Sequence, residues 1–117
     1  MVLSIHPDDS CLLLYPLPDW QNLERKVTKL PSLNIHTKRL SRKLIGHAHE
    51  CDLDKIGRIL IPISHRKHAN LDKKVVLSGQ GHNFEIWDEN SWGEQIEKLE
   101  RLSSQVETPQ EIQKFSL

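Results

Sequence analysis

No stretch of these 117 residues approaches the roughly 20 consecutive apolar residues that a membrane span requires. The opening Met1-Val2-Leu3-Ser4-Ile5-His6 has neither the basic start nor the apolar core of a secretory leader. Only two cysteines are present, Cys11 and Cys51, too few for a disulfide scaffold and not in a C-x-x-C pair. They read as reduced, half-buried strand residues. Apolar residues make up 37% of the chain, and mean hydropathy is −0.53. This supports a modest core: one domain, or two small units in close association. A cytoplasmic location is expected. Catalytic patterns are missing too. Ser78 has no evident histidine–acid partners, no glycine loop cradles phosphate, and no carboxylate pair sits on an apolar face. No enzyme, cofactor or small-molecule substrate is therefore expected.

What the chain does have is segregated charge. Sixteen basic and sixteen acidic residues cancel overall, yet residues 1–24 carry acids and no Lys or Arg. Residues 25–49 carry Arg25, Lys26, Lys29, Lys38, Arg39, Arg42 and Lys43 and no acid, while residues 85–117 carry eight acids against three bases. A neutral chain arranged this way keeps strong local fields. They suit an anionic partner or a head-to-tail contact between subunits. No aromatics interleave with the basic stretch, which argues against stacking on single strands and leaves duplex backbone contact.

Two segments also read alike at a spacing of 72. Leu14-Tyr15-Pro16-Leu17-Pro18-Asp19-Trp20 answers Ile86-Trp87-Asp88-Glu89-Asn90-Ser91-Trp92. In each, a strand ending in an aromatic turns into a helix opened by tryptophan. Upstream, Val2-Leu3-Ser4 answers Val76-Leu77-Ser78; downstream, Leu23, Val27 and Leu30 match Gln95, Leu99 and Leu102. Such self-similarity points to a duplicated unit, with Trp20 and Trp92 packing at strand–helix corners. Before the second copy, the pattern predicts a strand over Ala48–Asp54 and its hairpin partner over Arg58–Ile61. A helical turn at Ser64–Asn70 should follow, then strands at Lys74–Ser78 and Asn83–Trp87 and a helix at Ser91–Leu102. A helix is expected over Asn34–Ile45, and the tail from Ser103 should be weakly helical or frayed.

The most pointed motif is Asp54-Lys55-Ile56-Gly57-Arg58, D-x-x-x-R, followed by an apolar run and Pro62. Glycine permits the reversal and the arginine opens the returning strand. A carboxylate that caps its own turn and pairs with the guanidinium accounts for Asp54 and Arg58 structurally. The same arrangement fixes positive charge at a hairpin tip. His47, His49 and Cys51 alternate on one face of the expected strand, with His65 or His68 within sequence reach. Their spacing is not that of a zinc site, and no metal is expected.

Together with the segment from Cys11 to Trp20, Gly46-His47-Ala48-His49-Glu50-Cys51, and Phe84-Glu85-Ile86-Trp87-Asp88, these residues resemble the MraZ family of bacterial transcriptional regulators. The resemblance covers roughly residues 2–105. It implies an α+β, β-rich fold of tandem SpoVT/AbrB-like units in a swapped-hairpin (double-split) barrel. It implies double-stranded DNA as partner, at repeated promoter boxes of the division and cell-wall gene cluster. Ring-like homo-oligomers and a nucleoid-associated location are further implications, with no membrane partner. Arg58 and Lys55 would contact DNA, Asp54 would orient the arginine, Gly57 would make the turn, and Arg42 and Lys43 would add charge. On this pattern, residues 1–19 form part of a first unit without its N-terminal hairpin, 20–46 are linking helices, 47–92 form a second unit, and 93–117 a C-terminal helix and tail. Val2–Ile5 and Leu12–Tyr15 should then lack a partner hairpin within the chain and expose strand edges. The alternative is an oligomerising interaction module, or a truncated remnant, without DNA-binding activity.

Overall fold

A computed structural model of the chain describes residues 1–116. Five strands form one antiparallel sheet: β1 (Val2–Ile5), β2 (Leu12–Tyr15), β3 (His49–Glu50), β4 (Val75–Gly79) and β5 (Phe84–Asp88). Their spatial order is β3-β1-β2-β5-β4. Helices α1 (Leu17–Thr28), α2 (Ile35–Leu44), α3 (Ile63–His68), α4 (Glu89–Ser104) and α5 (Gln110–Gln113) complete the chain. The result is a mixed α+β architecture around an open sheet. β1 and β2 read VLSI and LLLY because both of their faces are covered, which favours near-continuous apolar runs.

The repeat emerges as symmetry. β1 pairs with β2 so that Leu3 faces Leu14, and β4 pairs with β5 so that Leu77 faces Ile86. Between the halves, β2 and β5 pair Leu12 with Ile86, Leu13 with Glu85 and Leu14 with Phe84. That register is symmetric about the Leu13–Glu85 pair, so a pseudo-dyad passes there. Each half ends in the same corner. Tyr15 and Trp20 meet edge-on with ring centroids 5.7 Å apart, and Trp87 and Trp92 do so at 6.0 Å. Two cavities of about 310 Å³ each complete the correspondence. One lies between α1 and the Gln80–Asn83 turn, the other between α4 and the Asp8–Ser10 turn.

Strand alternation divides the core between the two faces of the sheet. On one, Leu3, Ile5, Leu12, Leu14 and Ile86 are covered by Cys51 and Ala69, with Ile59, Ile61 and Leu71 alongside. On the other, Val2 and Leu13 pack against Trp20, Val27 and Leu44. Burying a leucine such as Leu12 stabilises the fold by about 1.5–3 kcal/mol. Polar groups brought into this core are partnered. The Ser4 hydroxyl donates to the Leu44 carbonyl, and buried His65 donates from Nε2 to the His47 carbonyl at 2.7 Å. Glu85 accepts from Trp87 Nε1 at 3.0 Å, which gives that carboxylate a structural task. At the end of α2 a Cβ on Gly46 would collide with the Arg42 carbonyl oxygen, so only glycine fits this close approach.

Several expectations need correction. The strand expected over Ala48–Asp54 is only two residues long, and Arg58–Ile61 forms no strand. β3 opposes β1 as Glu50 to Val2 and His49 to Leu3, and Cys51 N donates to the Met1 carbonyl at 2.9 Å. The ladder ends at that Cys51–Met1 contact. Nor do Val2–Ile5 and Leu12–Tyr15 expose edges. β1 lies between β3 and β2, and β2 lies between β1 and β5, because the second half of the chain supplies both flanking strands. The long open edge is that of β4. Cys11 and Cys51 are buried, free, and just outside the strands rather than half-buried within them. The last long helix begins at Glu89, two residues early, because Asp88 caps it, its side chain accepting from Asn90 N and Ser91 N.

Candidate nucleic-acid interface

The Asp54–Arg58 turn is built almost entirely by one carboxylate. Asp54 Oδ1 accepts from Ile56 N at 3.0 Å and from Arg58 N at 2.8 Å; Oδ2 accepts from Arg58 Nε at 3.0 Å. The backbone closes around it, with Asp54 N donating to the Arg58 carbonyl and Gly57 N to the Asp54 carbonyl. Gly57 sits at φ +81°, the left-handed conformation that completes a three-residue hairpin loop. A side chain there would meet no neighbour, so glycine is required for its backbone and not for space. The backbone hydrogen bond from Arg58 is the first cause holding the Asp54 carboxyl below its ordinary pKa, with the guanidinium and Ile56 N adding to it.

This geometry decides what Arg58 can do. Only Nε is used by Asp54, so the terminal nitrogens project outward, and the side chain is 72% exposed. A guanidinium held by one edge presents its other edge to a planar pair of acceptors, such as phosphate oxygens or guanine O6 and N7. Lys55 is exposed at the tip beside it. Sequence reasoning named Asp54, Lys55, Gly57 and Arg58, and the fold brings the four into one turn. It overlooked the apolar side chains there: Leu53, Ile56 and Leu60 are all exposed on the same segment. An isoleucine at a loop tip was the available signal.

The two helical cations named with them stand apart from the turn, on α2. Lys43 Nζ donates to the Pro7 carbonyl at 3.2 Å, and its neighbour Arg39 donates to the same carbonyl and pairs with Asp8 at 3.1 Å. These two clamp the β1–β2 turn to α2. Arg42 is exposed and has no side-chain partner among the described residues. His47 and His49 lie with their ring centroids 6.4 and 6.2 Å from that of His65. Among the described residues, no group of three or more His, Cys, Asp or Glu is arranged to hold a metal ion. Burial, reinforced by Glu85 and Asp9, pushes the Cys11 thiol far above its usual pKa, which makes it a poor nucleophile. Among the described residues, no helix is long and apolar enough to cross a membrane.

Residues 44–115, which include the whole turn, match a family model described as "MraZ protein, putative antitoxin-like". The chain belongs to the MraZ family. Proteins named transcriptional regulator MraZ match it from several bacteria. That of Alkalilimnicola ehrlichii is 56% identical over 79% of this chain and 61% of its own length. The Methylococcus capsulatus protein is 63% identical over 72% of this chain and 55% of its own length. The Pseudoalteromonas atlantica protein is 43% identical over the whole of this chain and 78% of its own. The chain thus spans about three-fifths of the length of the first two relatives. These relatives are named as transcriptional regulators.

Proposed function

We propose that the chain is a duplex-DNA-binding transcriptional regulator that reads sequence through the Asp54–Arg58 turn. The observation that carries this reading is the guanidinium anchored at Nε by Asp54 while its terminal nitrogens face solvent. Pre-orientation matters because an arginine fixed before contact loses less freedom on binding. Lys55 supplies a phosphate contact beside it. Arg42 and Lys43 contribute field more than contact, since Lys43 is already engaged at Pro7. In the MraZ manner, the targets are repeated promoter boxes of the division and cell-wall gene cluster, and the protein resides on the nucleoid.

One turn makes too few contacts. A good bidentate base contact is worth about 1–3 kcal/mol, whereas regulators bind their sites at about 10⁻⁸–10⁻¹¹ M. Several linked turns on repeated boxes close that gap through avidity, so the active form is a homo-oligomer, ring-like as in the resemblance. The unit boundaries at 19, 46 and 92 and a swapped-hairpin barrel belong to the same reading. Supporting the barrel, the segment holding Cys51, Ile59 and Ile61 packs on β1 and β2 of the other half.

A salt-titrated gel shift on repeated promoter boxes tests the proposal. Binding should exceed that to unrelated duplex, and it should weaken as salt rises. Arg58→Ala should reduce the specific complex at least about tenfold without changing oligomer size. The rival reading, an interaction module without DNA binding, draws on exposed Leu53, Ile56 and Leu60 around the turn. Equal shifts on promoter and unrelated duplex at low salt would leave that rival standing and remove ours.

A further inference from the structure

The turn between β1 and β2 is fastened by an imidazole. Pro7 has no N–H, so the first free amides after His6 belong to Asp8 and Asp9. His6 Nδ1 accepts from both, at 3.1 and 3.0 Å, and His6 N donates to the Cys11 carbonyl at 3.0 Å. This is the bond pattern by which Asn, Asp or Ser usually fastens a turn. Those side chains keep an acceptor oxygen at mildly acidic pH. Imidazole does not: its charge change ordinarily falls between about pH 5 and 8, and the protonated ring has two donors and no acceptor. Both backbone bonds require a bare Nδ1, so the neutral ring carries its proton on Nε2, 3.8 Å from Asp9 Oδ2. A second proton would set three N–H groups against one another.

The same turn anchors two helices. The Pro7 carbonyl accepts from Arg39 and Lys43 of α2, and Arg39 also pairs with Asp8. His68 of α3 donates from Nε2 to the Asp9 carbonyl at 3.1 Å. On α4, Glu94 and Lys98 line the cavity that Asp8 and Asp9 border. Three carboxylates (Asp8, Asp9, Glu94) and three cations (Arg39, Lys43, Lys98) thus surround the turn, and their net charge favours neither state of the ring. His68 donates whether neutral or charged, and burial pushes the Cys11 thiol up, out of this range. His6 alone among these groups must lose its bonds on protonation.

We propose that His6 is an acid-sensitive latch: protonation releases the Asp8 and Asp9 amides, opens the β1–β2 turn, and frees Arg39 and Lys43. Both then join Lys38 and Arg42, which are exposed and have no side-chain hydrogen bond or ion pair among the described residues. In acid α2 presents all four cations to a phosphate-bearing polyanion. Attraction rises through this released charge as well as through the added proton. The device exists in one half of the chain only. The corresponding Gly79–Asn83 turn closes through its backbone, Gln80 N to the Asn83 carbonyl, and its His82 faces Asp19 instead.

Nuclear magnetic resonance of the full chain tests the latch. At neutral pH the His6 ring should be the Nε2–H tautomer. From about pH 7.5 to about 5.5 the Asp8 and Asp9 amide signals should shift together with the ring. The side-chain signals of Arg39 and Lys43 should move in the same step. His6→Asn, whose oxygen accepts without titrating, should keep the turn closed and these signals flat. His6→Ala should show the open turn throughout, and His68→Gln, which retains an N–H donor, should leave the transition in place. Inorganic polyphosphate reads the released charge: acidification should tighten its binding to the unmodified chain at least about threefold more than to His6→Asn. An Nδ1–H tautomer at neutral pH, or amide, Arg39 or Lys43 signals that ignore the ring's titration, would overturn the latch. So would a transition that survives in His6→Asn or vanishes in His68→Gln, or equal polyphosphate gains in the two chains. None of these readings needs the Asp54–Arg58 turn to bind DNA.

Discussion

The two halves of the chain run through the same strand–turn–helix corner and finish it differently. In the first, Pro16 starts α1 without a side-chain cap, and Trp20 is 4% exposed beneath a helix pair. In the second, Asp88 occupies the corresponding position and caps α4, Trp92 is only half-buried, and among the described residues no residue of α4 is buried. The corner itself is thus a local device, set by an aromatic strand end and a tryptophan five residues on. Burial depends on what the rest of the chain lays over it. A duplicated unit that is covered once and open once has one half for stability and one half for contacts.

Tryptophan removal separates the halves most. Trp20→Ala empties a closed site and should cost about 3–5 kcal/mol. Trp92→Ala removes a side chain already half in water and should cost roughly 1–2 kcal/mol. Urea unfolding of both variants measures the difference. Equal losses would mean that α4 is covered in solution, which would break the comparison.

Next come Ser4 and Ser78, equivalent in the two hairpins. Ser4 is fully buried and donates to the Leu44 carbonyl, whereas Ser78 is half-buried and accepts from Gln80 Nε2 near the surface. Ser4→Ala leaves a buried carbonyl without its donor and should cost about 1–3 kcal/mol. Ser78→Ala should stay within about 0.5 kcal/mol. The caps give a smaller, reversed contrast. Asp88→Ala loses hydrogen bonds to Asn90 N and Ser91 N and should cost about 1 kcal/mol. Pro16→Ala removes no such bond.

Much of this was readable because it is local. The helix over Asn34–Ile45 and the acid–glycine–arginine turn rest on neighbours within a few positions, and the 72-residue repeat on two short motifs each legible by itself. Asn34 does cap α2, donating no bond but accepting one from His36 N at 2.8 Å. What escaped reading depends on distant partners. No periodicity reveals that β2 meets β5 across a dyad, or that β3 is only two residues long. For Lys43 the sequence shows a cation but not the Pro7 carbonyl it donates to, 36 residues away. The turn could be read and the Lys43–Pro7 contact could not for one reason: charge is visible in a sequence, and what it touches is not.

The smallest expected effect compares two turns. The Asp54–Arg58 turn is held by an ionised carboxylate, while the Gly79–Asn83 turn closes with Gln80 N donating to the Asn83 carbonyl and Gly81 at φ +92°. The Asp54 pKa is lowered in the folded chain. Its contribution is therefore present above the unfolded value, about 3.9, and is lost as pH falls through the lower folded value. Amide exchange or nuclear magnetic resonance shifts at Ile56 and Arg58 should be flat from neutral pH to about 5 and should change below about 4. Gln80 should show a smaller change, because the carboxylate at its turn, Asp19, meets the exposed His82 side chain at 3.7 Å and not the turn's backbone, which Gln80 N closes on the Asn83 carbonyl. Asp54→Asn should abolish the acid transition and loosen the grip on Arg58 Nε at every pH. If Ile56 and Gln80 instead respond together, global unfolding is being observed, and the turn is not the independent, carboxylate-locked unit that would present Arg58 to a duplex.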